Sequence, residues 1–423
     1  MASSAAVCRE PSRSPARAVP AVNGWRYQAP ARSPLSARAV IAGVRGVARN
    51  GRGSARSEGR VVELLTARYG PRDVLLTDSG TTALTAALIG VLKDRPGAVA
   101  LPAYGCYDLA TAADGANAPV LLYDLDPRTL APDLTQLHEA LRQGASAVVV
   151  VHLYGHPVDL SGVKGLAAER GALVIEDAAQ AAGATLDDRS VGTQCSLAVL
   201  SFGRGKGLTG GSGGALLAYD DAGARVVEAV RGLLGAPRRG WPELLTIAAQ
   251  LIFERPRLYA LPAALPFLHL GETVYRAPRP LRRPSRVSAP VVGATWHLAE
   301  REAETRRHNA ERLLSALRWQ PGFETISTPP RARPGYLRLP VLASPAVRRS
   351  AMEPAARRLG VMPGYPQPLC DLERFRQRCW NRDAAFPGSR VLAARLCTLP
   401  THGRLRLRDL ERLELWIRIA SGR

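Results

Sequence analysis

Lysine is nearly absent from this chain. Of its 57 basic residues only Lys93, Lys164 and Lys206 are lysines; the rest are arginine. Arginine stays protonated at any working pH, whereas a lysine amine can shed its proton and act as a nucleophile. Each lysine is therefore worth locating. Cysteine is sparse as well. Cys8, Cys106, Cys195, Cys370, Cys379 and Cys397 form no C-x-x-C pair and no metal-ligand spacing, so no metal site is expected and a reducing, cytoplasmic compartment fits. No run of 18 or more apolar residues occurs, which argues against a spanning helix. Acid is short: 36 Asp and Glu leave a net charge of +21. That surplus admits two readings. One is a basic surface for nucleic acid, an anionic membrane or phosphorylated substrates; the other is an arginine-rich composition spread through the whole chain. No specific nucleic-acid partner is expected.

What is present is ordinary for a folded protein. Apolar residues make up 46% and charged residues 22%, and 423 residues suffice for a large domain with a smaller one. Residues 1–35 read as a disordered basic arm, followed by a short helix at 35–47. Residues 36–235 form a large domain. In it "VLL" (74–76), "AVALP" (98–102), "PVLLYDLD" (119–126), "SAVVVVHLYG" (146–155), "ALVIEDAA" (172–179) and "LAVLSF" (197–202) read as buried strands. They alternate with helical stretches such as 133–143 and 159–170, which predicts an α/β fold with a mostly parallel sheet covered on both faces. Residues 236–286 break the pattern with two apolar runs, 244–253 and 258–268, flanked by arginines. Prolines at 256, 262 and 266 predict a broken, hairpin-like shape for them. Each run is too short to span a bilayer and long enough to lie in its interface, with Trp241, Phe253, Tyr259 and Phe267 at headgroup depth. Packing as ordinary core, or across a dimer, is the other reading. Residues 287–423 begin with a polar helix at about 293–318, continue as a smaller α+β domain and close with a helix near 407–420.

Lys206 lies in "SFGRGKGLTGGSGG" (201–214). A solvated loop lysine is one reading of it. A phosphate-binding P-loop would need glycine at 200 and Ser or Thr at 207, where this chain has Leu200 and Gly207. The letters Gly205 to Gly210 match G-x-G-x-x-G, but a dinucleotide fingerprint opens a helix, and here the strand "ALLAY" follows at once. A Schiff-base lysine makes demands elsewhere: a carboxylate for a pyridinium nitrogen and a cradle for a phosphate. Asp177 ends a buried strand in "VIEDAAQ", and "DSGTTAL" sets Ser79, Gly80, Thr81 and Thr82 at a helix N-terminus suited to phosphate. A strand-end turn and a plain N-cap are the competing readings of these two. Ser201, five residues before the lysine, adds a hydroxyl.

In order and spacing, "SGTTAL", "LPAY", "VVVHLYGHPVDL", "LVIEDAAQAAGAT", "VG" at 191–192, "SFGRGKGLTGGSGGALL" and "LPTH" (399–402) resemble the DegT/DnrJ/StrS-type sugar aminotransferases. The resemblance is close over 74–220 and loose in the C-terminal part. It implies a fold-type I transferase whose large αβα domain binds pyridoxal 5′-phosphate. It further implies that Lys206 forms the internal aldimine and that Asp177 pairs with the pyridine nitrogen. Gln180 would meet the phenolic oxygen, and Gly80, Thr81 and Ser201 would hold the phosphate. The stacking aromatic falls within "YGCY" (104–107), where plain alignment gives Cys106 and Tyr107 is the stacking residue expected. The implied activity moves an amino group from an amino acid, glutamate for instance, to a keto-sugar or related ketone, in a homodimer. Peripheral membrane contact through 236–286 would add to this. Two departures stand out: Pro284 replaces the asparagine that relatives lend to the neighbouring subunit's phosphate, although Arg286 and Ser288 remain, and Cys370 replaces a histidine. A cofactor-binding but non-catalytic or regulatory protein, whose basic arm holds membrane or nucleic acid, is the alternative they leave open.

Overall fold

The computed structural model describes residues 26–48, 51–263 and 273–422. Its centre is a seven-stranded sheet of β1 (Asp73–Thr77), β2 (Ala98–Pro102), β3 (Val120–Tyr123), β4 (Ala145–Val151), β5 (Leu173–Asp177), β6 (Leu197–Ser201) and β7 (Gly214–Ala218). The spatial order is β1-β7-β6-β5-β4-β2-β3. Only β7 runs antiparallel to its neighbours. Strands such as β2 are buried on both faces, as the unbroken apolar runs predict for a parallel sheet under helices. Because β1, β5 and β6 point the same way, Thr77, Asp177 and Ser201 reach one edge, the carboxyl edge where ligands of such sheets gather. Gly214 on β7 pairs with both Thr77 and Ser201, which sets those two ends side by side.

Helices α1 (Ala37–Ala48) and α2 (Gly51–Tyr69) precede the sheet, and α3 (Gly80–Asp94) follows β1. Later in the chain come α4 (Trp241–Phe253), the short α5 (Ala260–Ala263), the 30-residue α6 (Ser288–Leu317) and the closing α7 (Leu407–Ser421). Helix α6 starts five residues before the predicted 293, because Pro290 falls in its first turn, where no intrahelical N–H is required. A second sheet, entirely antiparallel, joins β8 (Phe323–Thr325), β9 (Leu339–Ala343), β10 (Met362–Pro363) and β11 (Leu396–Leu399). Leu313 and Leu317 of α6 and Leu413 and Trp416 of α7 pack on Val341 and Leu399 of this sheet to make a separate core.

Two expectations change. Residues 26–35 are not a disordered arm. The Tyr27 and Gln28 N–H groups donate to the carbonyls of Pro256 and Arg358, both at 2.8 Å, His402 Nε2 bonds the Ala29 carbonyl at 2.7 Å, and Leu35 is buried. A basic composition hid a segment tied down by its backbone; residues 1–25 lie outside the described residues. The 236–286 segment is divided in its behaviour. Leu244 and Ile247 of α4 join Leu35, Ala39, Val287 and Val291 in a small apolar cluster, each leucine, isoleucine and valine contributing about 1.5–3 kcal/mol by its burial. The opposite stripe, Trp241, Leu245, Ala249 and Ile252, faces solvent at helical spacing, with Leu245 69% exposed. Phe253 is also exposed, whereas Tyr259 leans on Tyr27 with ring centroids 5.6 Å apart. Phe267 lies outside the described residues. Among those described, no helix is long and apolar enough to cross a membrane.

Glu254, just after α4, takes the Arg32 Nε at 3.3 Å, yet burial pushes its pKa up to about 7, with Arg32 only partly offsetting. A carboxyl whose folded pKa is raised contributes stability at low pH and loses it as pH climbs through the folded value. Stability should therefore fall by on the order of 3 kcal/mol between about pH 4.5 and pH 7 on account of this group. Glu254→Gln should flatten that slope when Tm is followed against pH. An unchanged slope would count against the assignment.

Candidate active site

The turn from β1 into α3 builds an anion cradle. Ser79 caps the helix in an extended conformation, its Oγ accepting the Thr82 N–H at 3.0 Å. The Ala83 N–H goes to the Ser79 carbonyl at 3.1 Å. The N–H groups of Gly80 and Thr81 have no partner within the helix and sit at its positive end. Thr82 Oγ1 donates to Asp78 at 2.5 Å; burial raises the Asp78 pKa, opposed by that hydrogen bond and by Arg238, Arg282 and Arg279. Gly80 backs directly onto β6: a Cβ there would stand 2.8 Å from the Cβ of Ser201 and 3.1 Å from its Oγ. That closeness brings the Ser201 hydroxyl to the helix start, and it explains the glycine. Gly80→Ala should destabilise the protein by about 1–3 kcal/mol and weaken retention of a bound phosphate group. Denaturation and dialysis against cofactor would check both effects, and wild-type values would refute the cradle.

After Ser201 the chain folds into a tight glycine loop. The Phe202 N–H donates to the Gly213 carbonyl and the Gly210 N–H to the Phe202 carbonyl, both at 2.8 Å. The Gly205 N–H bonds Ser33 Oγ at 2.8 Å, so the N-terminal segment helps hold the loop. Gly213, at φ +104°, has its missing Cβ 2.3 Å from Ser288 Oγ, so only glycine lets α6 dock there. Ser288 in turn donates to the Ser212 carbonyl at 2.7 Å. Arg306, fully buried on α6, lies under Gly207 and donates to the Ala182 carbonyl at 3.0 Å; burial lowers its pKa to about 10. Lys206 stands half-buried on this loop.

Asp177 ends β5 beside that lysine. Its Oδ1 accepts the Ala179 N–H at 3.0 Å; burial raises its pKa, while that N–H, Lys206 and His152 pull it down. Strand alternation turns the preceding Glu176 to the other face. There it accepts N–H groups of Gly192, Gln194 and Cys195 at 2.7, 2.5 and 2.9 Å, and His152 Nε2 lies 3.4 Å away. Burial opposes its charge, but these donors win and hold the Glu176 carboxyl below the usual range. His152 Nδ1 accepts the Val158 N–H at 3.1 Å, which leaves the proton on Nε2, facing Glu176.

Gln180 closes the next turn, with Oε1 accepting the Tyr154 N–H and Nε2 donating to the Tyr365 hydroxyl, both at 3.0 Å. Tyr154 adopts φ 58°, a conformation uncommon outside glycine, and stacks on Tyr365 at 5.8 Å; Tyr104 meets Tyr365 edge-on at 5.6 Å. Among the described residues, the buried hydroxyls of Tyr104 and Tyr154 have no partner outside their own pair. Sequence reading missed Tyr154 and Tyr365, although each stands beside a backbone punctuator, in "LYGHP" and "PGYPQP". Tyr107, the stacking residue expected, is buried beside this cluster. It precedes the helix Asp108–Gly115 in αR geometry, so it points to a different face from Cys106, and its phenol stands by Gln367 and Asp371. The Cys106 thiol instead feels Lys206 and Asp177; burial drives its pKa up to about 12, so it stays protonated.

The edge thus gathers Lys206, Asp177 and Gln180 on one side and Gly80, Thr81 and Ser201 on the other. A buried carboxylate with one hydrogen bond suits a protonated ring nitrogen, the N–H groups that α3 leaves unpaired at its start suit a phosphate, and the lysine suits an aldehyde. Pyridoxal 5′-phosphate is the cofactor this donor set fits.

A model of the DegT/DnrJ/EryC1/StrS aminotransferase family matches residues 39–248. The L-glutamine:2-deoxy-scyllo-inosose aminotransferase of Streptomyces kanamyceticus is 32% identical over 262 residues, 61% of this chain and 54% of that protein. The enzyme of that name from Streptomyces lividus is 29% identical over 334 residues, 77% of this chain and 78% of that protein. The match thus spans about half the length of the first relative and more of the second. Among solved structures, the aminotransferase TlmJ from Streptoalloteichus hindustanus superposes with a TM-score of 0.71 at 24% identity, covering 94% of this chain and 99% of that one. A DegT DnrJ EryC1 StrS aminotransferase from Brucella abortus gives 0.68 at 22% identity, covering 91% and 96%. Motif order, cofactor-shaped edge and shared fold agree, and the chain belongs to the DegT/DnrJ/EryC1/StrS aminotransferase family of pyridoxal-phosphate-dependent enzymes.

Proposed function

We propose that this protein transfers an amino group from an amino acid of the glutamate or glutamine type to a ketone on a hydroxylated ring, a keto-sugar or a cyclitol. The observation that carries the reading is the convergence of Lys206 and Asp177 at the sheet edge, beside the Gly80–Ser201 cradle. When bound, pyridoxal phosphate supplies a carbonyl for the travelling nitrogen and a ring that takes up an electron pair. The Gly80 and Thr81 N–H groups and the Ser201 hydroxyl hold the phosphate. Asp177 keeps a proton on the ring nitrogen, Gln180 addresses the phenolic oxygen, and Lys206 Nζ, once neutral, moves a proton at the donor Cα. The hydroxylated ring ketone is suggested by relatives named for 2-deoxy-scyllo-inosose. The purified protein should take on the yellow absorbance of bound cofactor and lose it on adding donor; a colourless protein would favour a non-catalytic role.

The working unit is a homodimer in the cytoplasm, with Arg286 and Ser288 at the start of α6 next to the site loop. Full activity from a monomer in sedimentation would refute this. Peripheral membrane contact runs through the solvent-facing stripe of α4. Exposed Arg238 and Arg239 precede the stripe and exposed Arg255 and Arg257 follow it. A second copy laid antiparallel on it would set arginine against arginine, whereas an anionic bilayer would be attracted to both ends.

A further inference from the structure

Besides the Lys206 edge, three segments distant in sequence bring arginines to one cleft. Arg26, Arg255, Arg257, Arg404 and Arg406 line a cavity of about 750 Å³, completed by Pro256, Leu258 and Gly403. Among the described residues no carboxylate lines it. Of the acids nearby, Asp409 takes one cleft arginine, Arg26, through Nη2 at 3.0 Å, and Glu254 and Glu302 both take Arg32 outside the lining, at 3.3 and 3.4 Å. Among the described residues, the buried Nε atoms of Arg26 and Arg404 have no partner. Burial, Arg32 and Arg255 all press the Arg404 pKa down, with Glu254 and Glu302 opposing.

Five cations gathered with so little counter-charge are costly, and a bound anion relieves that cost. Guanidinium forks match phosphate oxygens two at a time, which lysine cannot do. We propose that this cleft is a binding site for a phosphate or diphosphate group, separate from the cofactor cradle and independent of the amino-transfer reading. The group can come from a lipid headgroup or from a soluble phosphorylated molecule. The first source is at hand, because α4 with its exposed apolar stripe leads straight into Arg255–Leu258, and exposed Leu261 follows.

The test is calorimetric titration of pyrophosphate into protein saturated with pyridoxal phosphate, so that the cradle is filled. Saturable binding is expected, weakened at least about tenfold by Arg255→Glu with Arg257→Glu. A control pair, Arg225→Glu with Arg374→Glu, makes the same charge change at exposed positions elsewhere and should bind as wild type. Arg404→Gln, changed alone, should also weaken binding. No saturable binding, or equal losses in cleft and control variants, would overturn the proposal. Sedimentation with phosphatidylcholine vesicles, with and without phosphatidic acid, then identifies the source. Vesicle binding that needs phosphatidic acid and is displaced by pyrophosphate marks a lipid headgroup. Pyrophosphate binding without vesicle binding marks a soluble ligand, and either result upholds the site.

Discussion

Lys206→Ala is expected to leave a folded protein whose amino transfer has fallen by on the order of 10⁴-fold or more, since one change removes both the group that joins the cofactor and the proton carrier. The fold should survive because the loop is held by the main-chain bonds of Phe202 to Gly213 and Gly210 to Phe202 and by the Gly205 N–H on the Ser33 hydroxyl, none of which uses the lysine side chain. Lys206→Arg separates chemistry from charge: it keeps a cation in place but cannot shed its proton, and should be as inactive as the alanine variant. Borohydride trapping and peptide mapping supply an independent readout. Lys93 and Lys164 are both exposed, on helices away from the sheet edge, so label should appear on Lys206 alone. Label on either of the others, or an active arginine variant, would remove Lys206 from the site.

Asp177→Asn should move activity and stability in opposite directions. Activity should drop by about 10²- to 10⁴-fold, the range for losing a group that keeps a proton in its place. Stability of the cofactor-free protein should hold or rise. Burial raises the Asp177 pKa, against Ala179, Lys206 and His152. A raised acid stabilises below its unfolded pKa near 4 and loses that contribution as pH rises through the folded value. An ionisable carboxyl in this buried place is thus a burden above that pH, and a neutral amide of the same shape removes it. Activity assays beside thermal melts of cofactor-free protein would check this, and parallel losses in both would make Asp177 a structural residue. Its neighbour supplies the contrast. Glu176 is held below the usual range by three N–H groups and His152, so Glu176→Gln should destabilise the 191–195 turn it grips.

How much of this was legible in the chain depends on the range over which each feature is decided. The buried strands, the cap at Ser79, and the placing of Lys206 and Asp177 after strands could be read locally, because apolar runs, a capping hydroxyl and glycine loops act within a few residues. A lone lysine among arginines marked the chemistry, since only lysine can give up its proton there. Other features depended on contacts between segments far apart in sequence. The antiparallel β7, wedged between β1 and β6, decides that Gly80 meets Ser201, and no pattern within either segment records that pairing. Cys106 and Tyr107 part company because one residue at a helix start rotates a side chain by about 100°, and the tertiary docking of that helix brings Cys106 within reach of Lys206 and Asp177. Tyr154 and Tyr365 lie 211 residues apart and meet only when the C-terminal part folds back over the sheet edge. The basic composition was plain in the sequence. That five of its arginines share one cleft was decided by the N-terminal segment, the 255–258 turn and the 403–406 loop packing together, because charge is counted along the chain but its field is set in space.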